Sequence, residues 1–575
     1  MKSANKEKLL SYFQNNYQYN IPFFQRAYVW GEENWDLLLD HINEEADAFK
    51  TGEVSEHFIG TIITKPASQT NFSVNAIELI DGQQRLTTVS ILLKALADTC
   101  TGEYSDLKSN LMNYLKFKDS QGKVYSRISH SKNDEPHFEM ILQNVDSWTN
   151  VPVTQNQINK AYHHFCKKVK DLSDSDRDLY QNVLLNKLPI IAMFLGEEDD
   201  EQEIFDTINS LGVRLTVAEL LKNFLFRDDT LKTNYDEYWF EVFEKDEVET
   251  TFWNDLKTSG RVKRTNLELL LYCFLIIETG SDVRLDKLFN SYKKYLKDKT
   301  SGEKLELLKR LKSYATIYRQ FPSNQELKEI KFKNDEKRVF HVIEYLEITT
   351  VYPLLLYTYQ NISEEAERNS ALSIIESFLV RRLIVKLTTK GYNRFFIQLI
   401  NELKTHEQLS PSSLRATLLT YEEDSNRWPS DSEVTAGMLN NYLYNKYTRE
   451  ILFIICLYLL DNKNSDINAM SVDSYSVEHM LPKKWREHWS HEGLSEDDKL
   501  GRDKTLKTLG NLTLVTQPLN SKLTNNKWSK KKKDLRKNSH LSITRDFVEI
   551  EEWNEQEILS RGKYLAAQAL LVWQR

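Results

Sequence analysis

The long helical stretch in the middle of the chain constrains the fold most. Between about residues 231 and 465, apolar residues recur at helical spacing in long runs that charged linkers separate. Few turn or strand signals interrupt these runs, of which residues 267–278, 339–359 and 371–387 are examples. The pattern predicts a helical domain whose Leu, Phe and Tyr stripes form its core. The 575 residues leave room for further domains on both sides.

The flanking segments mix strand and helix signals. Strand candidates lie at residues 58–63, 76–80, 188–195 and 510–515. The chain ends in an amphipathic helix at 555–573, whose Arg561 is interpreted as a packing residue. We therefore predict an α+β multidomain protein with an N-terminal α+β domain at 1–230, a helical coupling domain at 231–465 and a C-terminal domain at 466–575.

Composition excludes several classes of protein. Hydrophobic residues at 40% and charged residues at 28% are typical of a globular chain and exclude a wholly disordered one. The net charge of −8, from 76 basic and 84 acidic residues, argues against an evenly positive surface but allows a local basic patch. Nucleic-acid binding through such a patch stays open.

Cysteine usage and apolar runs indicate the compartment. The four cysteines lie far apart without a CxxC pair, which predicts neither a disulfide framework nor a thiolate zinc site. The longest apolar runs, at 269–277 and 451–460, are much shorter than the roughly 20 residues of a membrane span. The first residues lack the apolar core of a signal peptide. We expect a cytoplasmic protein without membrane insertion.

A polar loop in the N-terminal part joins a strand candidate to a helix candidate. It consists of Asp81, Gly82, Gln83, Gln84 and Arg85. A helix N-terminus offers unpaired N–H groups and partial positive charge, and an arginine adds bidentate contacts, so the loop could bind phosphate. A solvated Asp-Gly turn is the alternative. The GxxxxGK[ST] pattern is absent, which excludes a P-loop.

Two further patches accompany this loop. Residues 21–30 join apolar anchors to a second Gln-Arg pair, Gln25 and Arg26, and residues 205–216 lead into a helix candidate. The three patches, in this order, resemble the DUF262 family, the ParB/sulfiredoxin-like domain of GmrSD-type modification-dependent restriction enzymes, over about residues 10–230. The resemblance implies nucleoside triphosphate binding, of GTP or ATP, by residues 81–85, with Gln25 and Arg26 in the same pocket. Asn209 and Lys222 match family positions, with helix capping and surface charge as the alternatives.

A second set of polar residues lies near the C-terminus. Glu478 and His479 are adjacent, and Asn511 and Asn520 follow nine positions apart in the segments GNLTLV and LNSK. A one-metal nuclease needs a base for water, a divalent cation at the scissile phosphate and oxygen ligands for that cation. These side chains could provide all three functions, and Mg²⁺ prefers carboxylate and amide oxygens.

This full set resembles the DUF1524 branch of the HNH, or His-Me finger, nucleases, in which two strands and a helix hold one metal ion. The resemblance implies that His479 is the general base, that Glu478 and Asn520 hold Mg²⁺ or Mn²⁺, and that Asn511 orients the base or fixes its loop. The wider superfamily often has Asp where Glu478 stands, and here Asn520 replaces the last His of the HNH name.

A lysine-rich run follows the predicted metal site. It could track a phosphate backbone on a helix, with Lys522 in support, and a solvated face is the alternative interpretation. The DNA-binding residues that we predict are Lys522, Lys527, Lys530, Lys531, Lys532 and Lys533. In the middle domain, Arg381, Arg382 and residues 390–394 are candidate DNA contacts, with packing as an equal alternative.

Together the two ends resemble a fused GmrSD-like type IV restriction endonuclease. The resemblance implies an NTP-regulated HNH nuclease that cleaves foreign, modified phage DNA as double-stranded substrate. A phosphorothioate-sensing NTPase-nuclease of the same architecture and a non-catalytic ParB-like DNA-binding regulator are the alternatives, and an RNA-directed nuclease lacks a recognisable RNA module. The modification, the preferred nucleotide and the oligomeric state, a homodimer among the options, stay open.

Overall fold

The structure is a computed structural model. It describes residues 3–22, 25–53, 56–67, 75–100, 105–119, 121–143, 147–196, 199, 216–226, 229–259, 262–333, 335–462, 468–489 and 493–575. The chain divides into two compact units, residues 1–232 and 233–575.

The first unit is built on a mixed sheet. Its strands are β1 (Ser3–Lys8), β2 (Tyr17–Asn20), β3 (Thr61–Pro66), β4 (Asn75–Asp81), β5 (Lys116–Lys118), β6 (Val124–Ser126), β7 (Ile128–Ser129) and β8 (Pro189–Phe194). The sheet has the order β1-β8-β3-β4-β2-β7, whereas β5 and β6 pair separately. β2 runs parallel to β4 and β7, β3 runs parallel to β8, and the β1–β8 and β3–β4 pairs are antiparallel.

Helices surround this sheet. They are α1 (Leu10–Gln14), α2 (Glu32–Thr51), α3 (Gln83–Asp98), α4 (Ser105–Leu115), α5 (Glu135–Leu142), α6 (Gln157–Val169), α7 (Asp174–Asn186), α8 (Val217–Phe226) and α9 (Asp229–Lys232). From Leu86 to Asp98 every residue of α3 is buried, so this helix forms the centre of the core and fixes the position of the turn before it.

The second unit is mainly helical. Its helices are α10 (Glu247–Asn254), α11 (Asn266–Thr279), α12 (Leu288–Leu296), α13 (Ser301–Gln320), α14 (Asp335–Leu346), α15 (Tyr352–Asn361), α16 (Glu365–Val385), α17 (Tyr392–Leu403), α18 (Pro411–Leu419), α19 (Asp431–Asn440), α20 (Asn445–Asp461), α21 (Trp485–His488), α22 (Glu496–Thr505), α23 (Gln517–Leu523), α24 (Trp528–Asn538), α25 (Ser542–Arg545) and α26 (Glu555–Val572), with a π-helix at Asp236–Glu244. Two hairpins interrupt them, β9 (Leu256–Ser259) with β10 (Val262–Thr265) and β11 (Tyr475–His479) with β12 (Leu512–Thr516).

A continuous core joins the helical part of this unit to its C-terminal part. Phe453 of α20, Leu514 of β12 and Leu565 of α26 belong to one buried cluster. The predicted domain boundary between residues 465 and 466 therefore lies inside the second compact unit, and it stays a prediction. A second cluster, which includes Trp485, Trp528 and Trp553, packs beneath the β11–β12 hairpin.

The α+β class and the helical middle are confirmed, although some limits differ from the sequence prediction. The first strand candidate begins at Thr61 instead of residue 58, and residues 339–359 form two helices with a break between Leu346 and Tyr352. The β9–β10 hairpin was not predicted, because its Lys, Thr and Arg residues give no apolar alternation.

Among the residues that the structure describes, no helix has the length and apolar character that a bilayer crossing requires. All four cysteines are free thiols, and Cys166, Cys273 and Cys456 are buried.

Candidate functional site

The β11–β12 hairpin and α23 bring the C-terminal candidate residues together. The strands pair antiparallel, with Glu478 opposite Thr513 and His479 opposite Leu512. The chain then enters α23, which packs on both strands. Two antiparallel strands followed by a helix are the arrangement that the sequence comparison with His-Me finger nucleases implies.

His479 closes strand β11 at the edge of this hairpin and is partly exposed. Burial of the imidazole, together with the nearby positive charges of Lys483 and Lys531, lowers the pKa of His479 to about 4. A histidine acts as a general base only in its neutral form. His479 is therefore in the form that can accept a proton at neutral pH.

Glu478 has a buried partner in α24. The Lys531 ammonium donates a 2.5 Å hydrogen bond to Glu478 Oε1 and a 2.7 Å bond to the His479 carbonyl oxygen. Burial raises the pKa of Glu478, and the Lys531 charge opposes that effect. Burial likewise lowers the pKa of Lys531, opposed by Glu478. Because adjacent strand residues point to opposite faces, the Glu478 and His479 side chains leave the strand on different sides.

Asn511 fixes the segment that follows the histidine. It is fully buried, and its Oδ1 accepts hydrogen bonds from Leu481 N at 2.7 Å and Trp553 Nε1 at 3.0 Å. Its Nδ2 donates to the carbonyl oxygens of Leu481 and Leu506, each at 2.9 Å. All of these partners are protein groups, so of the two predicted roles the structure favours loop fixing.

Asn520 lies on α23, facing the first strand of the hairpin. Its Nδ2 donates to Ser476 Oγ at 2.7 Å and to the Val477 carbonyl oxygen at 3.3 Å. Since Ser476 and Glu478 are two positions apart in β11, their side chains share a face of the strand. The Asn520 carboxamide therefore approaches the same face that carries the Glu478 carboxylate.

The predicted DNA-binding lysines fall into two groups. Lys522, Lys527, Lys530 and Lys533 are exposed and Lys532 is partly exposed, and Lys522 pairs with Asp534. Lys531 differs from them, because its side chain is 1% exposed and binds Glu478. In this arrangement it cannot contact a DNA backbone, which corrects its assignment to the basic surface. Its burial could have been predicted from the sequence, because Trp528, Lys531 and Leu535 have the spacing of one helix face.

The N-terminal loop is a tight strand-to-helix turn. β4 ends at Asp81, Gly82 has φ +96°, and α3 begins at Gln83. A Cβ atom at Gly82 would lie 2.9 Å from Ile62 Cγ1 and 3.2 Å from Ile62 Cα, so both conformation and space favour glycine. The turn presents the N-terminus of a 16-residue buried helix, as the phosphate-site prediction requires.

Three charged side chains meet at this turn. Arg85 Nη1 lies 3.7 Å from Asp81 Oδ2 and donates a 2.9 Å hydrogen bond to the Thr61 carbonyl oxygen. Burial raises the pKa of Asp81, whereas Arg85, the Gly82 amide and Arg26 lower it. The structure thus brings Arg26 to the same turn as Asp81 and Arg85, as the sequence comparison implied.

The three predicted nucleotide-binding glutamines hold backbone in this structure. Gln84 Oε1 accepts a hydrogen bond from Val29 N at 2.9 Å, and its Nε2 donates to the Ala27 carbonyl oxygen. Gln83 Nε2 bonds the Arg26 carbonyl oxygen, and Gln25 Nε2 bonds that of Leu79 at 3.0 Å. The glutamines therefore attach the segment from residue 25 to residue 30 to the turn, and their roles toward a nucleotide stay predictions.

Other residues singled out in the sequence are placed as follows. Asn209, with residues 205–215 of the third patch, lies outside the described residues. Lys222 in α8 is buried, so it is not a surface charge. Arg381 and Arg382 are also buried and bond backbone carbonyls, which makes them packing residues and corrects their interpretation as DNA contacts. Residues 390–394 line an open cleft.

Two residues that were not predicted to make polar contacts here bond Asn511 and the backbone on either side of it. The Trp553 indole bonds Asn511 directly. Arg561, predicted to pack, is fully buried and donates to the carbonyl oxygens of Leu509, Gly510 and Leu512 at 2.8–3.2 Å. Both partners lie far along the chain from Asn511, so no local pattern points to them.

Comparison with known families matches both ends of the chain. Residues 7–226 match the N-terminal domain of the GmrSD restriction endonucleases, and residues 428–568 match the C-terminal domain of the same enzymes. No curated protein matches the chain. The two matches cover the N-terminal turn and the β11–β12 hairpin.

These matches define the class first: the chain has the domains of a restriction endonuclease of phage defence, with DNA as its partner. More particularly, it belongs to the GmrSD-like type IV restriction endonucleases, because it carries both the N-terminal and the C-terminal domain of that family in one polypeptide.

Proposed function

We propose that the C-terminal part of the chain is an HNH-type nuclease that hydrolyses DNA phosphodiesters with His479 as general base. The observation that carries this proposal is the gathering of Glu478, His479, Asn511 and Asn520 at one antiparallel hairpin, with Asn511 and Asn520 bonded to the strand and loop that carry His479. The lowered pKa of His479, about 4, means that its imidazole is neutral at neutral pH. A neutral imidazole can take a proton from the attacking water. Asn511 keeps that imidazole in place by fixing residues 480 and 481.

The donor atoms at the hairpin suit Mg²⁺ or Mn²⁺. Glu478 has a carboxylate and Asn520 a carboxamide oxygen, both of them hard donors. In this structure Asn520 turns its Nδ2 to the strand, so its carboxamide would have to rotate to bring the oxygen to a metal ion. Among the described residues no group of three or more His, Cys, Asp or Glu side chains could hold a metal. Two protein ligands can suffice for Mg²⁺, because this ion usually keeps several waters and binds substrate phosphate. When bound, the ion would stabilise the charge that develops on the phosphate.

Lys531 has a positioning role in this proposal. Its ammonium binds both the Glu478 carboxylate and the backbone carbonyl oxygen of His479, so it fixes the end of β11, from which the imidazole leaves on the side opposite to Glu478. Without a counter-charge the buried carboxylate would tend to protonate, and a protonated carboxyl group is a poor metal ligand. The Lys531 charge opposes that protonation.

At the N-terminal turn we propose a nucleoside triphosphate site. Arg85, Arg26 and the N-terminal amides of α3 would bind phosphate oxygens, because two guanidinium groups and a helix N-terminus meet there. Asp81, beside Arg85, would orient water or a bound cation. The glutamines would support the phosphate site through the segment from 25 to 30 that they hold.

We propose modified phage DNA as the substrate, with NTP regulating cleavage. The test is a cleavage assay with Mg²⁺ on plain plasmid, on phage DNA carrying glucosylated hydroxymethylcytosine and on phosphorothioate DNA, each with and without NTP. Cutting restricted to one modified DNA, lost in His479→Ala, is the expected result. Equal cutting by wild type and His479→Ala would disprove the assignment of the base, and cutting confined to phosphorothioate DNA would replace the proposed substrate.

A further inference from the structure

A cleft of about 1150 Å³ lies in the helical part of the second unit. One wall is the loop between α16 and α17 with the first turn of α17, where Lys386, Lys390 and Arg394 are exposed. The other wall is the start of α20 with the residues before it, and it carries the tyrosines Tyr442, Tyr444 and Tyr447. Cationic and aromatic side chains therefore line the same open cleft.

The basic wall is rigid. Buried Arg382 donates hydrogen bonds to the Thr388 carbonyl oxygen at 2.8 Å and to the Tyr392 hydroxyl at 3.0 Å, which fixes the loop from below. Lys386 has φ +63° and Gly391 has φ +97°. Of the three non-glycine residues with positive φ in the described chain, two, Lys386 and Glu347, line this cleft. Both residues directly follow a helix, α16 and α14, where a residue with left-handed backbone is a common C-terminal cap.

The charges of the cleft favour an anion. Lys386, Lys390 and Arg394 stand against two acidic lining residues, Asp282 and Glu347. Lys446 already neutralises Glu347 at 2.8 Å. The N-terminus of the 12-residue helix α17 adds partial positive charge directly after Gly391. A phosphate group could accept hydrogen bonds from the lysines, the arginine and the first amides of α17 at once.

The tyrosine wall suits a base. Tyr444 is 73% exposed and Tyr442 is 46% exposed, with ring centroids 6.4 Å apart. Large aromatic side chains are usually buried because their exposure to water is unfavourable. Unpaired bases stack on such rings irrespective of their sequence, and a neighbouring basic groove holds their backbone.

We propose that this cleft binds a nucleotide of a DNA strand that has left the double helix, with its phosphate on residues 386–394 and its base against Tyr442 and Tyr444. The proposal rests on the proposed function, since it supplies the nuclease with a second contact to DNA. A free nucleoside triphosphate offers the same phosphate-and-base chemistry. DNA is the preferred occupant because the chain belongs to a family of DNA-cleaving enzymes and because this open cleft combines exposed cations with exposed tyrosines.

The test measures binding of the full chain, in the His479→Ala background without metal, to a fluorescein-labelled single-stranded oligonucleotide. Lys390→Glu with Arg394→Glu should raise the Kd and reduce the dependence of log K on log salt by about 0.7 for each lost contact. Tyr444→Ala should raise the Kd by roughly 5- to 150-fold, and Tyr444→Phe should restore it. Lys294→Glu with Lys297→Glu, the same change of charge on two exposed lysines outside the cleft, is the matched control.

The outcomes separate the possibilities. Loss of oligonucleotide binding in the cleft variants, with the Lys294 and Lys297 control unchanged, supports the proposal. Unchanged oligonucleotide affinity in all variants overturns it, and so does a loss of ATP or GTP affinity while oligonucleotide affinity is kept. If His479→Ala still cuts DNA in the cleavage assay, the nuclease assignment fails. The effect of the Lys390 and Tyr444 variants on oligonucleotide binding is measured separately, so it still tests the cleft.

Discussion

At the residue scale, the charges around His479 control when it can act. Lys483 is exposed and, after burial, is the largest contributor to the lowered pKa of His479, about 4. The neutral base exists above this pKa, so cleavage should persist below the ordinary histidine range and fall only as pH drops toward 4. Lys483→Met removes a positive charge, which raises the pKa of His479 and should shift the acid limb of the rate profile to higher pH.

The measurement is the pH dependence of plasmid cleavage at saturating metal. Lys484→Met is the control, because Lys484 is also exposed but is not among the groups that shift the pKa of His479. An acid limb that stays in place in Lys483→Met, or that moves equally in the control, would argue that another group sets it.

The buried pair of Lys531 and Glu478 predicts a large difference between neighbouring lysines. Lys531→Met leaves the Glu478 carboxylate without its partner and should lower the free energy of unfolding by about 3–5 kcal/mol. Lys530→Met changes an exposed side chain and should alter it by less than about 0.5 kcal/mol. Urea unfolding of both variants provides the comparison.

The free energy of unfolding of Lys531→Met should also depend on pH, in a direction that the pKa of Glu478 sets. The folded-state pKa of Glu478 is already raised by burial, and loss of Lys531 raises it further. A carboxyl group with a raised folded pKa is stabilising when protonated, so the stability of Lys531→Met should fall as pH rises from the unfolded value of 4.5 through the folded pKa. Stability that rises over this range would contradict the assigned ion pair.

At this scale the sequence predicted which residues gather better than it predicted their contacts. Residue types, spacing and the resemblance to HNH nucleases together pointed to His479, Asn511 and Asn520, and the structure gathers them at one hairpin. The partners of Glu478 and Asn511 are residues more than 40 positions away, Lys531 and Trp553, so they follow only from tertiary packing. The glutamines of the turn illustrate the same limit, because their amides bond backbone of a segment that precedes them by over 50 residues.

At the scale of elements, the closing helix α26 fixes the hairpin through close backbone contact. A Cβ atom at Gly510 would lie 2.1 Å from the Ile558 carbonyl oxygen of α26. Gly510→Ala must therefore push α26 away and should cost roughly 1–3 kcal/mol or more. It should also reduce cleavage, because the neighbouring Asn511 holds the segment after His479.

A matched glycine tests this prediction. Gly501 lies in α22 with nothing within 4 Å of its added Cβ atom, so Gly501→Ala should stabilise the chain by about 0.5–1 kcal/mol and leave cleavage unchanged. Thermal unfolding and plasmid cleavage of both variants are compared. Gly510→Ala with normal stability and activity would mean that α26 does not hold the hairpin.

Elements themselves were predictable where periodicity is strong. Short strand-like apolar runs located β4 and β8, and the helical spacing of the middle region located α11 and α16. The break between α14 and α15 was missed because apolar residues continue through it, and only Pro353 marks the new helix start. The sequence singled out residues 390–394 of the cleft as candidate contacts but did not predict the shape of their loop. That shape depends on hydrogen bonds from buried Arg382, which the sequence shows only as one of two adjacent arginines.

At the scale of the whole molecule, a nuclease and a nucleotide site on one chain predict separable defects. His479→Ala should lose cleavage and keep NTP turnover, whereas Arg85→Ala should reduce both if nucleotide regulates cutting. Arg85 also bonds the Thr61 carbonyl oxygen, so Arg85→Lys and a thermal unfolding curve are needed to distinguish nucleotide binding from local folding. Arg284→Ala, an exposed arginine of the other unit, is the control. Unchanged turnover and cleavage in Arg85→Ala would make the nucleotide assignment wrong.

Regulation by nucleotide also carries a thermodynamic requirement. If NTP acts by changing the affinity for DNA by some factor, DNA must change the affinity for NTP by the same factor, because the two binding events share one coupling free energy. Both factors can be measured with the His479→Ala chain, which should bind substrate without cutting it. We expect equal factors of roughly 5- to 150-fold, corresponding to about 1–3 kcal/mol. If NTP changes the rate of cleavage while both affinities stay constant, regulation acts on the catalytic step at the hairpin and not on DNA binding.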